Sequence, residues 1–499
     1  MSRVVVIGAG MGGLATAARL AKAGHRVTLV EASDRVGGKL ASYARDGYVV
    51  DTGPSLLTLP AVYRDLFLST APSRRGAALE DNVELVAVDP AFGYRFADGS
   101  SVTVPNATRG PALAAALDAG LGPGTGAQWN ALVDRGAAMW SVTRGPFLTA
   151  PLRPATLGRL ALHRRDVATV APWLSLSGLA RHLLDDPRLV MMAQRYATYT
   201  GSDPDRAPAA LATIPYLEAT FGAWHIRGGL GRLADATAQR CVALGVDLRL
   251  GCAVTQVRLA HGRATGVALR DGSHVAADLV VANVDATSLY QQLLPAGAGG
   301  RVARRLRRAT PSLAGFTLLA GVRGRSGLGH HSVSFPADYA AEFRAIFGPD
   351  PRPAPDPALY VCVPDDPEMR PDAQHESWFV LANAPRHDPG RGVDWRAPGA
   401  AERYAHHLLD VLATRGTDIR DRLDWLEWRT PADLQDAAGA PGGSIYGTAS
   451  HGVAAPLLRP ANTTSVRGLL AVGGSVHPGG GLPLVGLSAE IVAGLVGPA

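Results

Sequence analysis

The sequence predicts an α/β fold that opens on a parallel strand–turn–helix–strand unit, and three observations near its start carry that prediction. First, Val4-Val5-Val6-Ile7 is a β-branched run of the kind that forms a strand buried on both faces. Second, it stops at Gly8-Ala9-Gly10-Met11-Gly12-Gly13, after which residues 14–22 repeat apolar side chains at helical spacing. Third, a further apolar run, residues 27–30, ends on Glu31. A G-x-G-x-x-G sequence between strand and helix, with an acid closing the next strand, is the Rossmann-type dinucleotide-binding fingerprint. Gly8 allows the tight turn, Gly10 lets backbone approach a pyrophosphate, and Gly13 permits close packing of helix on strand. The helix N-terminus then offers free N–H groups and a positive dipole end. Glu31 stands where a carboxylate accepts from ribose hydroxyls, which favours a cofactor without a 2′-phosphate. An ordinary turn in a glycine-rich chain is the competing reading, and the strand, helix and acid in register weigh against it.

Composition bounds the rest. With 499 residues, 47% of them hydrophobic and 18% charged, the chain is globular and has length for about three domains. The net charge of +6 is carried almost wholly by arginine, since Lys22 and Lys39 are the only lysines. Arginines scattered among alanines and glycines read as codon bias, not as a nucleic-acid face. The densest cluster, Arg301, Arg304, Arg305, Arg307 and Arg308, reads as a solvated helix face, with attraction to anionic lipid as the alternative. Cys241, Cys252 and Cys362 are few, odd in number and far apart, so neither a disulfide framework nor a metal site is expected. The opening strand leaves no room for a cleavable signal peptide, and no apolar run reaches the ~20 residues needed to span a bilayer. The expectation is a cytoplasmic protein, soluble or peripheral to a membrane.

Further along, Asp51-Thr52-Gly53-Pro54-Ser55 reads as a turn. Residues 94–96 and 102–104 flank Asp98-Gly99 as a hairpin. Residues 110–200 read as helices broken at prolines. Within them 151–165 is apolar and basic, ending in Arg164-Arg165, and forms either a buried layer or one lying on a membrane. Residues 230–244 read as a helix. Residues 246–250 and 254–259, a hairpin at Asp271-Gly272, and 279–282 read as strands. Strands are also expected at 316–319, 359–363, 378–383 and 468–472, with a closing helix at 487–495.

The stretch after Glu31 supplies the first family signal. Gly37-Gly38 lets the chain pass close to a cofactor, and Lys39 can offer charge to phosphate or to a flavin ring being reduced; a plain Gly-Gly turn is the bland alternative. This acid-then-GG arrangement resembles the flavin-containing amine oxidase and phytoene desaturase superfamily, which implies FAD. The C-terminal stretch Leu470-Ala471-Val472-Gly473-Gly474-Ser475-Val476-His477-Pro478-Gly479-Gly480-Gly481-Leu482-Pro483 is similar to the closing FAD motif of bacterial carotenoid desaturases. Many relatives place an acid after the first glycine to bind a ribityl hydroxyl. Here Gly474-Ser475 occupies that zone, so the contact falls to Ser475 or to backbone. Arg195-Tyr196-Ala197-Thr198-Tyr199-Thr200-Gly201, Gly222-Ala223-Trp224, His330-His331 and Gly442-Gly443-Ser444-Ile445-Tyr446-Gly447 extend the resemblance over essentially the whole chain.

The resemblance implies a discontinuous FAD-binding domain (1–75, 221–295, 456–499) interleaved with an α+β substrate domain (76–220, 296–455) that carries the helical layer. It implies that Gly8, Gly10, Gly13, Glu31, Gly37, Gly38, Lys39, Val254, Gly473, Gly474, Ser475, Leu482 and Pro483 bind FAD. The activity implied is desaturation of phytoene or a later acyclic or hydroxylated carotene by hydride transfer to flavin N5. Oxygen or a quinone would take up the electrons, and the polyene would be drawn from the inner face of a membrane through an apolar tunnel. His477, beside the flavin loop, is the candidate proton carrier, with packing or capping of the loop as its simpler role; His330, His331 and His451 carry weaker claims. A redox-neutral carotenoid isomerase, an amine oxidase and a carotenoid-binding escort are the alternatives. An amine oxidase would show an aromatic cage that the sequence does not reveal, and an escort has no need of an intact FAD fingerprint.

Overall fold

The computed structural model describes all residues except 74–75, 108–109, 153–161, 453–454 and 456–458. Five parallel strands form its first sheet, in the order Leu469–Ala471, Leu279–Ala282, Arg3–Ile7, Arg26–Val30, Asp247–Arg249. The strand Arg3–Ile7 lies at the centre, which explains its composition. Val4 and Val6 enter the core on one face, while Val5 and Ile7 enter a separate core on the other. A strand covered on both faces has no polar side to show, so β-branched residues fill its four buried positions, Val4 to Ile7. The helices Met11–Lys22, Gly231–Ala243 and Leu482–Val496 cover the first face. The antiparallel sheet Val254–Ala260, Arg263–Leu269, His274–Ala276 covers the second.

A second sheet of seven strands runs Leu423–Arg429, Ala314–Arg323, His375–Ala384, Leu359–Cys362, His331–Ser334, Phe92–Arg95, Ser101–Val104. All its pairs are antiparallel except His331–Ser334 with Phe92–Arg95. The helix Ala400–Thr414 packs on one face through Tyr404, Leu408 and Leu412. The helices Pro111–Leu121, Thr125–Thr143, Leu176–Leu183 and Pro187–Arg195 gather round the Phe92–Arg95 end. Both expected hairpins form, at Asp98-Gly99 and Asp271-Gly272.

Several elements differ from the sequence reading, among them the strands His331–Ser334 and Leu423–Arg429 and the helix Ala400–Thr414, which it did not name. The closing helix begins at Leu482, not at residue 487, because Gly481 is its N-cap and Pro483 sits in its first turn, where a missing N–H costs nothing. Ahead of the turn at Thr52–Ser55 stands a hairpin, Ser42–Arg45 with Tyr48–Asp51, that the sequence did not reveal. Tyr43 and Tyr48 meet Trp425 edge to face at 6.0 and 5.7 Å, so it is stabilised by a partner far along the chain.

The helical layer divides. Leu113, Leu117, Leu132, Leu179 and Leu189 are core residues. The helix Arg164–Val170 buries no residue, and its neighbours Leu162 and Trp173 are 81% and 63% exposed. Most of the basic–apolar stretch, including Arg159, lies outside the described residues. Among the described residues no helix is long and apolar enough to cross a membrane.

Candidate cofactor and active site

The fingerprint loop closes on a residue that sequence reasoning passed over. Asn283, directly after the strand Leu279–Ala282, donates from Nδ2 to the Gly8 carbonyl at 3.2 Å. A Cβ on Gly10 would lie 2.9 Å from that nitrogen, and Cβ atoms on Gly12 or Gly473 would lie 2.7 and 2.6 Å from its Oδ1. A Cβ on Gly13 would meet the Gly8 carbonyl oxygen at 2.0 Å, the helix–strand approach that the fingerprint requires. Gly37 donates to the Ala9 carbonyl at 2.9 Å, and a Cβ on Gly38 would stand 3.3 Å from the Gly10 Cα. The doublet thus lies across the phosphate loop, with φ of 100° and 59° at its two glycines.

Glu31 sits at the other end of the same groove. Its Oε2 accepts from Ala9 N at 2.6 Å and its Oε1 from Ser33 N at 2.9 Å. Cys252 N donates to the Glu31 carbonyl at 2.7 Å, which brings the start of the strand Val254–Ala260, and with it Val254, alongside the acid.

Lys39 turns inward to the C-terminal third of the chain. Its Nζ donates to the Ile445 carbonyl at 2.6 Å and to the Ser444 carbonyl at 3.3 Å. Burial pulls its pKa below the ordinary lysine value, and the Asp285 carboxylate opposes that shift. Arg459, also buried, donates to the carbonyls of Tyr446 and Gly474 at 2.9 Å and of Thr448 at 3.1 Å, and burial lowers its pKa to about 10. Ser475 Oγ accepts from Ala286 N at 2.8 Å. Asp285, two residues beyond Asn283, is the acid that acts on both cations. Asn283, Asp285 and Arg459 carried no spacing signal, because each is defined only by the sheet order.

His477 is 2% exposed, and its Nε2 lies 3.0 Å from the Ala150 carbonyl. Its own carbonyl accepts from Asn462 Nδ2 at 2.9 Å and from Ser488 Oγ at 2.9 Å. Burial lowers the imidazole pKa, and the hydrogen bond to Ala150 opposes that shift. His451 accepts from Asp203 N at 2.9 Å and is held neutral by burial, with a pKa near 4. His331 and Tyr360 share a hydrogen bond of 2.7 Å, and Tyr360 another of 2.6 Å with Ser55. The sequence shows no metal-ligand spacing, yet the fold gathers His330, His331 and Cys362 so that one ligand atom of each falls within 4.8 Å. Burial pushes both imidazoles down and the thiol up, which keeps the trio uncharged.

Two helix N-termini therefore border one groove: Met11–Lys22 and Leu482–Val496, neither with a side-chain cap. Their first N–H groups have no intrahelical acceptor and meet a glycine-walled cradle with an acid at its far end. A flavin dinucleotide fits these donors. Fold and groove together define a dinucleotide-dependent oxidoreductase. The family described as flavin containing amine oxidoreductase matches residues 11–325. A 4,4'-diapolycopene oxygenase of Methylomonas sp is 33% identical, covering 98% of this chain and 97% of its own. A hydroxyneurosporene desaturase of Cereibacter sphaeroides is 34% identical, covering 98% and 96%. Among solved structures, a putrescine oxidase bound to putrescine shares the fold, with a TM-score of 0.66 at 16% identity over 99% and 98% of the two chains. The chain belongs to the flavin-containing amine oxidoreductase family. A dinucleotide groove in a flavin family makes FAD the cofactor.

Proposed function

We propose that the protein desaturates a carotenoid, phytoene or a later acyclic or hydroxylated carotene. One observation carries this: the similarity to a relative named hydroxyneurosporene desaturase runs through 98% of the chain. When bound, FAD supplies the acceptor for the hydride leaving an allylic carbon.

The chain's own residues do the holding. The N–H groups opening Met11–Lys22 would hold the pyrophosphate, with Gly10 and Gly38 leaving it room. Glu31 would accept from ribose hydroxyls, and Val254 would wall the adenosine end. Gly473, Gly474 and Ser475 would hold the ribityl chain, and Leu482 N, in the first turn beside Pro483, would offer a donor where negative charge develops on the ring. Lys39 anchors Gly37-Gly38 over this assembly. The FAD-binding domain would comprise 1–75, 221–295 and 456–499, and the substrate domain 76–220 and 296–455.

A long polyene is insoluble in water, so it reaches the protein from a bilayer. The exposed Leu162 and Trp173 beside Arg164 and Arg165 support a peripheral seat on an anionic surface, at the cytoplasmic, inner face of the membrane. Oxygen or a quinone then reoxidises the enzyme.

Mass spectrometry of pigment from liposomes loaded with an acyclic carotene tests the reading. Loss of two hydrogens per step, with a red-shifted spectrum, supports it. Constant mass with altered geometry would make the protein an isomerase, and gain of oxygen an oxygenase.

A further inference from the structure

A buried cation stands on the substrate side of the cofactor groove with almost nothing to bind. Arg195 ends the helix Pro187–Arg195 and is 8% exposed. Its guanidinium carbon lies 4.9 Å from the Phe92 ring centre, 5.3 Å from Tyr199, 5.7 Å from Tyr360 and 5.9 Å from Tyr94. Among the described residues its one hydrogen bond is Nη1 to the Tyr94 hydroxyl at 3.5 Å, the outer limit for such a bond. A guanidinium carries five N–H donors and no acceptor. Most of that donor capacity is unused by the described side chains.

The acid that acts on Arg195, Glu218, is committed elsewhere. Glu218 accepts from the Tyr196 hydroxyl at 2.6 Å and from the Tyr199 hydroxyl at 3.0 Å, and makes no ion pair with Arg195. Its charge balances Arg195 at a distance without occupying the donors. Burying a cation is costly unless its surroundings compensate, and here four aromatic rings do part of that through cation–π contact. The rings stabilise the cation through its faces and leave its in-plane N–H donors unaccounted for.

Position gives the arginine a role. The helical turn Tyr196–Thr200 that follows it ends at Gly201, where a Cβ would lie 2.9 Å from the Tyr446 ring. A Cβ on Gly480, in the C-terminal glycine loop, would lie 2.2 Å from the same ring. One tyrosine ring thus separates the segment carrying Arg195 from the cofactor loop.

We propose that Arg195 is a specificity residue that receives the oxygen of a polyene ending in a hydroxyl or carbonyl group. A donor-only side chain needs an acceptor atom, which a pure hydrocarbon cannot give. Because Glu218 already balances the charge, a neutral oxygen fits better than a carboxylate. The apolar remainder of the ligand would lie along the aromatic rings. This rests on the polyene reading above and narrows it to oxygen-bearing substrates.

The test uses the FAD-loaded protein on liposomes, with an acyclic polyene ending in a tertiary alcohol and the hydrocarbon of the same skeleton. Wild type should favour the alcohol in kcat/KM by about tenfold or more, as sites built to hydrogen-bond a substrate oxygen do. In Arg195→Met the ratio should fall to about one through a raised KM for the alcohol, and Arg195→Lys should recover part of it. Equal kcat/KM for the two polyenes in wild type, or an unchanged ratio in Arg195→Met, overturns the assignment. If Arg195→Met does not fold, the wild-type ratio decides alone. If neither polyene loses hydrogen, the desaturase reading fails separately. Flavin-fluorescence titration then judges the anchor: tighter binding of the alcohol supports it, and equal or absent binding overturns it.

Discussion

Lys39 Nζ lies 2.6 Å from the carbonyl oxygen of Ile445, 406 residues along the chain. The glycine doublet over the phosphate loop is thereby tied to the segment that runs into the C-terminal glycine loop. Removing the ammonium leaves the carbonyls of Ser444 and Ile445 without this donor.

Lys39→Met should therefore loosen the lid formed by Gly37-Gly38. Loss of a charged hydrogen-bond donor costs about 1.5–3 kcal/mol, and FAD should dissociate correspondingly faster. Stopped-flow dissociation with an excess of an FAD-specific apoenzyme as trap measures it, and an unchanged rate would mean that the contact only tethers two loops.

Gly13→Ala should be the most damaging single methyl in the fingerprint. The added Cβ would stand 2.0 Å from the Gly8 carbonyl oxygen, backbone on both sides, with no rotamer to relieve it. A cost of about 3 kcal/mol and loss of bound flavin are expected. Gly10→Val should also empty the site, through Asn283 Nδ2 as well as the pyrophosphate. Denaturant midpoints and flavin absorbance check both, and full flavin content in Gly13→Ala would refute the packing argument.

Glu31→Gln should weaken FAD by about 1.5–3 kcal/mol with a smaller effect on folding, because ribose hydroxyls lose a charged acceptor. Titration of apoprotein gives the affinity directly. Unchanged binding would leave Glu31 with only its contacts to Ala9 N and Ser33 N.

Stability should fall as pH rises from about 4.5 to 7 through Glu342. This fully buried acid accepts from Ala358 N at 2.6 Å and from Asn383 Nδ2 at 2.7 Å, and burial raises its pKa from 4.5 to about 7. Between those values the unfolded chain has released the proton and the folded one still holds it, so unfolding gains with every rise in pH. Above 7 the full penalty of about 3 kcal/mol applies. Glu342→Gln removes the titration, so its Tm at pH 8 should exceed that of wild type by more than at pH 4.5. Parallel pH profiles for the two proteins would contradict the assignment.

Charge reversal at Arg164 and Arg165 should lower binding to anionic liposomes, most at low salt, where screening is weakest. Sedimentation with vesicles at two salt concentrations reads this, and equal binding would remove the helix Arg164–Val170 from the membrane contact.

The sequence alone determined the first strand, helix and second strand, the fingerprint between them and both hairpins turning at Asp-Gly. Each of these depends on neighbours a few residues apart: β-branched runs, helical spacing, turn chemistry. It also carried the family, because glycine loops and their flanks are contiguous. Tertiary structure decided the rest. Asn283 becomes the wall of the phosphate loop only because Leu279–Ala282 lies beside Arg3–Ile7. Asp285 acts on Lys39 and Arg459 only when three distant segments meet. Arg195 is one arginine among many in the chain, and only packing encloses it among Phe92, Tyr94, Tyr199 and Tyr360. Burial and charge compensation belong to contacts between segments far apart in the chain, and local spacing carries no record of which segments meet.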